Sequence, residues 1–217
     1  MQVELLDHMG DDLDVVNAAR VSFAKFKEEM DAADEKLIRY LAREDHWSPF
    51  AHTSVKFRVR APIFVARQLA KHQIGAAWNE ESRRYIDDAP EFYYPKEWRG
   101  RPKNVKQGSG EAIHPGDGFL ADSTYETAMH DSLKAYHSLL KRGVAPEMAR
   151  SVLPQSTYTS WIWTGSLFFF ARVCKLRIDP HAQQETMWVA KQIYGECEKI
   201  FPVSWRFLFS TKSGGVK

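Results

Sequence analysis

An α+β fold, with helices packed on a mostly antiparallel sheet in a single domain, is what this sequence predicts, on three observations. Thr53 to Arg60 alternates, with Thr53, Val55, Phe57 and Val59 on one side and Ser54, Lys56, Arg58 and Arg60 on the other, as a half-buried strand does. Tyr125, Met129, Leu133, Tyr136 and Leu140 recur at the three- and four-residue spacing of an amphipathic helix. The chain is 217 residues long with no internal repeat and no low-complexity linker, the size of one domain that buries its own core.

Asp31 to Arg43 reads as a helix with Leu37, Ile38 and Leu41 on one face, broken at Ser48-Pro49. After the strand at Thr53 to Arg60, Pro62 suits the first turn of a helix running through Ile63, Ala66, Arg67 and Ala70 toward Lys71. Tyr94 to Gly118 is rich in Gly, Pro and Lys without hydrophobic period, which predicts a surface loop over 95–118 with solvated basic residues. The helix carrying Tyr125 stops at Gly143, and Pro146 starts a short helix through Arg150. Ser156 to Trp163, β-branched and aromatic, predicts a strand, followed by a helix from about Ser166 to Leu176. Asp179-Pro180 reads as the start of the next helix, with Asp as N-cap, and Pro202 closes it. Residues 206–217 read as a flexible tail.

Composition excludes several classes. The longest apolar run, Leu167 to Ala171, is far short of a membrane span. The start, Met1-Gln2-Val3-Glu4, has neither a basic opening nor an apolar stretch, so a cytoplasmic location is expected. A net charge of +2 gives no general argument for nucleic acid. Cys174 and Cys197 lack metal-ligand spacing and read as buried small hydrophobes; no metal is expected.

Chemistry-bearing residues concentrate in three places. Lys71-His72-Gln73-Ile74-Gly75-Ala76-Ala77-Trp78-Asn79-Glu80-Glu81-Ser82-Arg83-Arg84-Tyr85 joins small residues, which allow close backbone approach, to phosphate-binding types at Ser82, Arg83 and Arg84. Ala149-Arg150-Ser151-Val152-Leu153-Pro154 places an arginine at a helix end. In Leu176-Arg177-Ile178-Asp179-Pro180-His181-Ala182-Gln183, Arg177 precedes the expected helix N-terminus, whose free N–H groups suit an electron-rich ring or a phosphate. Each has a plainer reading alone: a solvated polar turn, a cation against a helix dipole, an ordinary cap with Arg177 in an ion pair.

In combination these segments resemble the flavin-dependent thymidylate synthase family. That family carries Arg-His-Arg, a short spacer and Ser within a stretch ending Asn-Glu-x-Ser-x-Arg-Tyr; here Asn79, Glu80, Ser82, Arg84 and Tyr85 match, with Lys71 and Gln73 in place of the two arginines. Ala19-Arg20-Val21-Ser22, His46 with Ser48-Pro49-Phe50, Ala61 to Gln68, Ala149-Arg150 with Leu153-Pro154, and Leu176-Arg177 with Asp179 and His181-Ala182-Gln183 fit as well. The similarity covers nearly the whole chain outside the Tyr94 to Gly118 loop and the segment after about Trp205. The family commonly has Asn and Arg along the stretch of Ser166, Leu167 and Phe168, and Glu in place of Ala51.

The resemblance implies reductive methylation of dUMP to dTMP, with FAD, with NADPH as reductant and with 5,10-methylenetetrahydrofolate as carbon donor. It implies that Gln68, Lys71, Glu80, Ser82, Arg84, Arg150 and Arg177 serve dUMP. Ser48, Lys71, His72, Gln73, Asn79, Glu80, Ser166, Arg172 and His181 serve FAD, with His46 and Ser22 nearby. Arg177 is the implied catalytic residue, a permanent cation stabilising the pyrimidine as an anion. Lys71 keeps a charge without the arginine fork and Gln73 has none, and Arg172 can supply part of it. A homotetramer with active sites shared between subunits is implied, with no membrane or nucleic-acid partner. Two other classes compete: a metal-dependent hydrolase using some of His46, His52, His72 and His181, and a nonenzymatic nucleotide- or RNA-binding module stacking bases on Tyr93, Tyr94 and Trp98.

Overall fold

The computed structural model describes residues 1–86, 88–103 and 108–210. Among them, four antiparallel strands form one sheet in the order β1-β2-β4-β3: β1 Gln2–Met9, β2 Ser54–Pro62, β3 Ala76–Glu80 and β4 Tyr158–Ser166. Strands β2 and β4 pair along their whole length, from Ser54 opposite Ser166 to Pro62 opposite Tyr158. The side-chain period of two then decides what is buried. Val55, Phe57, Val59 and Ala61 of β2 and Trp161 and Trp163 of β4 point into one core, while Lys56, Arg58 and Arg60 lie on the opposite side.

The helices are α1 Asp12–Arg20, α2 Ala32–Arg43, α3 Ile63–Leu69, α4 Pro115–Lys141, α5 Pro146–Ala149, α6 Leu167–Arg177, α7 Gln184–Ile200 and α8 Pro202–Ser210. Local chemistry sets several of the starts. Asp11 and Asp31 each accept backbone N–H groups of the following turn and complete a capping box with Asp14 and Asp34. Ser166 accepts from Phe169 N at 3.2 Å and turns β4 directly into α6, whose Phe170, Val173 and Cys174 pack on α7 through Val189, Ile193 and Cys197.

The structure departs from the sequence expectations in four places. Strands β1 and β3 are additions to the expected elements; both are edge strands, β3 is only five residues long, and the alternation of β1 stops at a register shift after Leu5. The expected loop ends at His114, since Pro115 opens α4 ten residues before Tyr125. Its basic residues are not all solvated: Arg99 reaches the buried Glu185 at 2.6 Å and ties the loop to α7. Residues 206–210 are not a tail but the end of α8; 211–217 lie outside the described residues. Asp12 caps α8 from α1, accepting Val203 N and Ser204 N at 2.8 Å each, and Trp205 and Leu208 are buried against the core.

The fourth departure bears on the site. Asp179-Pro180 does not begin a helix: the Asp179 carboxylate accepts His181 N at 2.8 Å and closes a turn, and α7 starts at Gln184. Buried positions begin only at Glu185 and Thr186, so packing fixes the start four residues later than the Asp-Pro pair would set it. Arg177 is accordingly the last residue of α6, and not a residue leading into an N-terminus.

Candidate active site

Arg177 stands at the negative end of α6, where a cation is favoured by the helix dipole. Its Nε donates to His72 Nε2 at 3.0 Å and its Nη2 to the Gln68 carbonyl at 3.3 Å. Both partners come from the end of α3 and the turn after it, so α3 and α6 converge at this point. The Gln68 side chain is itself held, accepting from Thr186 Oγ1 at 3.2 Å and bonding Gln183 Oε1. Burial, then the charges of Arg177 and Arg172, lower the His72 pKa to about 4, so its imidazole is neutral and able to accept. Lys71 and Gln73, on either side of His72, are exposed.

At the other end of β3 a carboxylate is fixed. Glu80 Oε1 accepts from Thr159 Oγ1 at 2.7 Å and Oε2 from Trp78 Nε1 at 3.3 Å. Trp78 stacks on Trp161 at 4.4 Å between ring centroids, which in turn fixes Trp78. Just beyond, Ser82 Oγ accepts from Arg84 Nε at 3.2 Å. Arg150 follows α5 in a short 3₁₀ turn, where its Nε donates to the Glu147 carbonyl at 3.3 Å. Glu80, Arg150, Tyr158 and Thr159 line one cavity of about 120 Å³.

Two further cavities adjoin at Trp47. One, of about 400 Å³, is lined by Trp47, Ala51, Ile74, Gly75, Ser166, Phe168, Phe169 and Arg172. The Trp47 and Phe168 rings lie 6.0 Å apart on its wall, and Arg172 supplies positive charge there. Gly75 has φ +85°, open to glycine, and a Cβ there would meet nothing within 4 Å. The other, of about 270 Å³, gathers Ser22, Asp45, His46, Trp47 and Ser48.

Comparison with known proteins fixes what this constellation belongs to. Residues 4–203 match the family model described as thymidylate synthase complementing protein. The flavin-dependent thymidylate synthase of Thermosipho africanus is 42% identical over 208 residues, covering 94% of this chain and 88% of the relative. The chain belongs to the flavin-dependent thymidylate synthase family. The enzyme of the same name from Thermus thermophilus is 39% identical, covering 94% of this chain and 73% of that one. Among solved structures, the UMP/dUMP methylase PolB from Streptomyces cacaoi, bound with 5-Br dUMP, superimposes with a TM-score of 0.86 at 35% identity, over 97% of this chain and 95% of PolB.

Within this flavin-dependent thymidylate synthase chain, the residues expected to act form separate groups. Arg177 contacts both Gln68 and His72, Glu80 and Arg150 share a cavity, Ser82 contacts Arg84, Ser166 and Arg172 share the larger cavity, and Ser48 joins Ser22 and His46. His181 lies exposed in the turn between α6 and α7, and Asn79 is exposed on β3. Gln183 and Thr186, which hold Gln68, and Thr159 and Trp78, which hold Glu80, are additions to the set expected from sequence. Their signal is weak, because Thr159 looks like any alternating strand residue and Trp78 like a core aromatic.

The competing classes find no support in the geometry. Tyr93 is 8% exposed, Trp98 packs edge-on against Tyr125 with its Nε1 donating to Asp122, and Tyr94, though 51% exposed, also packs edge-on against Tyr125, so the three rings do not form one open stacking face. No three His, Cys, Asp or Glu residues come together as a metal site among the described residues. Cys174 and Cys197 are fully buried, and burial pushes both thiols well above their usual pKa.

Proposed function

We propose that this chain converts dUMP to dTMP by reductive methylation as a cytoplasmic homotetramer, with FAD bound, NADPH as reductant and 5,10-methylenetetrahydrofolate as the carbon donor. The observation that carries the reading is the state of Arg177: a half-buried, permanently charged group oriented by two neutral acceptors, with burial the influence on its acidity. Uracil becomes nucleophilic at its fifth ring position only if charge can develop on the ring, and an oriented cation at the ring edge stabilises that charge.

The residues present fit a flavin. The cavity at Trp47 and Phe168 is mostly apolar with aromatic walls, as a planar ring system requires, and Arg172 stands at its edge for an anionic group. Ser166, Arg172, Ile74 and Gly75 would hold the cofactor there, with Lys71, His72, Gln73 and Asn79 along its phosphates, Glu80 toward the nucleotide, and Ser48 and His181 farther out. When bound, FAD supplies the hydride-accepting and hydride-donating chemistry. Ser82, Arg84 and Arg150 are phosphate-type donors that would take the dianionic end of dUMP. Gln68, Lys71 and Arg177 address the nucleotide from the other end of β3. That strand spans about 13 Å at ~3.3 Å per residue, so one subunit presents the two sets at two places. Sites completed by neighbouring subunits reconcile this with a single small substrate.

The test is the visible spectrum of the purified protein and its product. A flavin spectrum bleached by NADPH, with dTMP formed from dUMP and methylenetetrahydrofolate, is the expected result. UMP serves as a second acceptor, since the matched PolB is described as a UMP/dUMP methylase. Protein free of FAD that cannot be reconstituted with it overturns the reading, and a fully active monomer in light scattering overturns the tetramer.

A further inference from the structure

Arg177 is held on two sides, and neither partner carries charge. Nε–H is engaged by His72 Nε2 and one Nη2–H by the Gln68 carbonyl, which leaves the Nη1–Nη2 edge of the guanidinium with free donors. Arg20 and Arg99, by contrast, are each oriented by a carboxylate, that of Asp34 and that of Glu185. A carboxylate fixes a guanidinium equally well, but it also cancels most of its field at a third group. An imidazole that accepts through an unprotonated ring nitrogen fixes the same Nε–H and leaves the charge whole.

The supporting structure is specific to that task. His72 can accept at Nε2 only in the tautomer with its proton on Nδ1. Its backbone N–H bonds the Leu69 carbonyl at 3.0 Å and continues the turn after α3, so the ring is carried by a fixed backbone. Arg172, five residues before Arg177 on α6, adds a second positive charge that discourages protonation of the ring. A protonated His72 would lose its acceptor and repel Arg177.

We propose that His72 is a positioning residue for Arg177, orienting the guanidinium through an uncharged acceptor so that its full charge is directed at an anionic pyrimidine. This rests on the reading that Arg177 faces the uracil of dUMP. It is separate from any contact His72 makes with the flavin.

The test uses the holoenzyme with 5-fluoro-dUMP, whose fluorine resonance reports ionisation of the ring N–H as pH is raised, together with the Nε–H resonance of Arg177 in protein labelled with ¹⁵N-arginine. In the parent the bound pyrimidine should ionise at lower pH than the free nucleotide. His72→Gln, which keeps a neutral acceptor, should stay within about threefold of the parent ionisation constant. His72→Glu should bind nucleotide yet lose about tenfold or more of that enhancement, because it orients the guanidinium and neutralises it. FAD content, read from absorbance, is compared across the variants so that cofactor loss is separated from the electrostatic effect. In ligand-free protein the Arg177 Nε–H should exchange slowly in the parent and in His72→Gln and become fast in His72→Leu. Equal ionisation constants in His72→Gln and His72→Glu, or an Nε–H unaffected by His72→Leu, overturn the proposal. Failure of the parent to bind 5-fluoro-dUMP instead removes the nucleotide reading, while the Nε–H measurement still decides the contact.

Discussion

Replacing Arg177 by alanine should abolish most activity while leaving a folded, yellow protein. Two terms separate cleanly. For stability, the substitution removes the bonds to His72 Nε2 at 3.0 Å and to the Gln68 carbonyl at 3.3 Å. Each is worth about 1 kcal/mol net, and both acceptors sit in half-buried positions that water can reach, so the loss is about 2 kcal/mol. For a domain of this size that lowers Tm by roughly 4–8 °C. For catalysis, removing one preorganised charge stabiliser costs about 2.7–4 kcal/mol, on the order of a hundred- to a thousandfold in rate. The assay is tritium release from dUMP labelled at its fifth ring position, run beside dTMP formation, with the flavin spectrum and thermal melt of the same sample. Arg177→Ala within threefold of the parent rate, folded and holding flavin, would refute the assignment of Arg177 as the charge stabiliser.

Replacement of both Cys174 and Cys197 by alanine should keep dTMP formation within about tenfold, with packing losses of roughly 1 kcal/mol per site, because neither buried thiol can supply a thiolate; a dead but folded double variant, measured by the same assay, would point to a cysteine adduct. Ser82→Ala and Arg150→Ala should each weaken dUMP binding by about 1.5–3 kcal/mol while leaving much of the flavin in place, and a dUMP titration monitored by flavin absorbance that gives unchanged affinity in both contradicts their role. Asp34 is buried, which alone raises its pKa, but hydrogen bonds from Lys27, Arg20 and the Asp31 amide outweigh burial and lower it from 3.8 to about 2. A folded-state value below the unfolded one means that its stabilisation is present above about pH 4 and lost as pH falls toward 2. Asp34→Asn should then cost about 2 kcal/mol at neutral pH, discounted because Arg20 and Lys27 are partly exposed, and should flatten the acid limb of a denaturant-measured stability profile; an unchanged limb argues against the linkage.

Local pattern carried the core and many of the elements. The alternation of β2 identified Val55, Phe57 and Val59, all of them fully buried, because a strand's two faces are fixed by a period that needs no partner to be read. The same holds for α2, for the long helix through Tyr125 and for the break at Pro202. The family was legible as an ordered set of motifs, and burial of both cysteines followed from their apolar settings.

What the sequence left undecided depends on contacts far apart in the chain. The start of α7 and hence the setting of Arg177 differ from the local signal, since a capping residue states only that a helix can begin, while packing of Glu185 and Thr186 decides where it does. The tail became α8 because Asp12 caps it across a separation of 191 residues. Arg177 meets His72 across 105 residues, and Thr159 meets Glu80 across 79. A motif names the types of group a reaction needs, whereas their orientation and partners come from folding β2, β4 and α6 against one another, which brings together side chains whose spacing in sequence contains no trace of the contact.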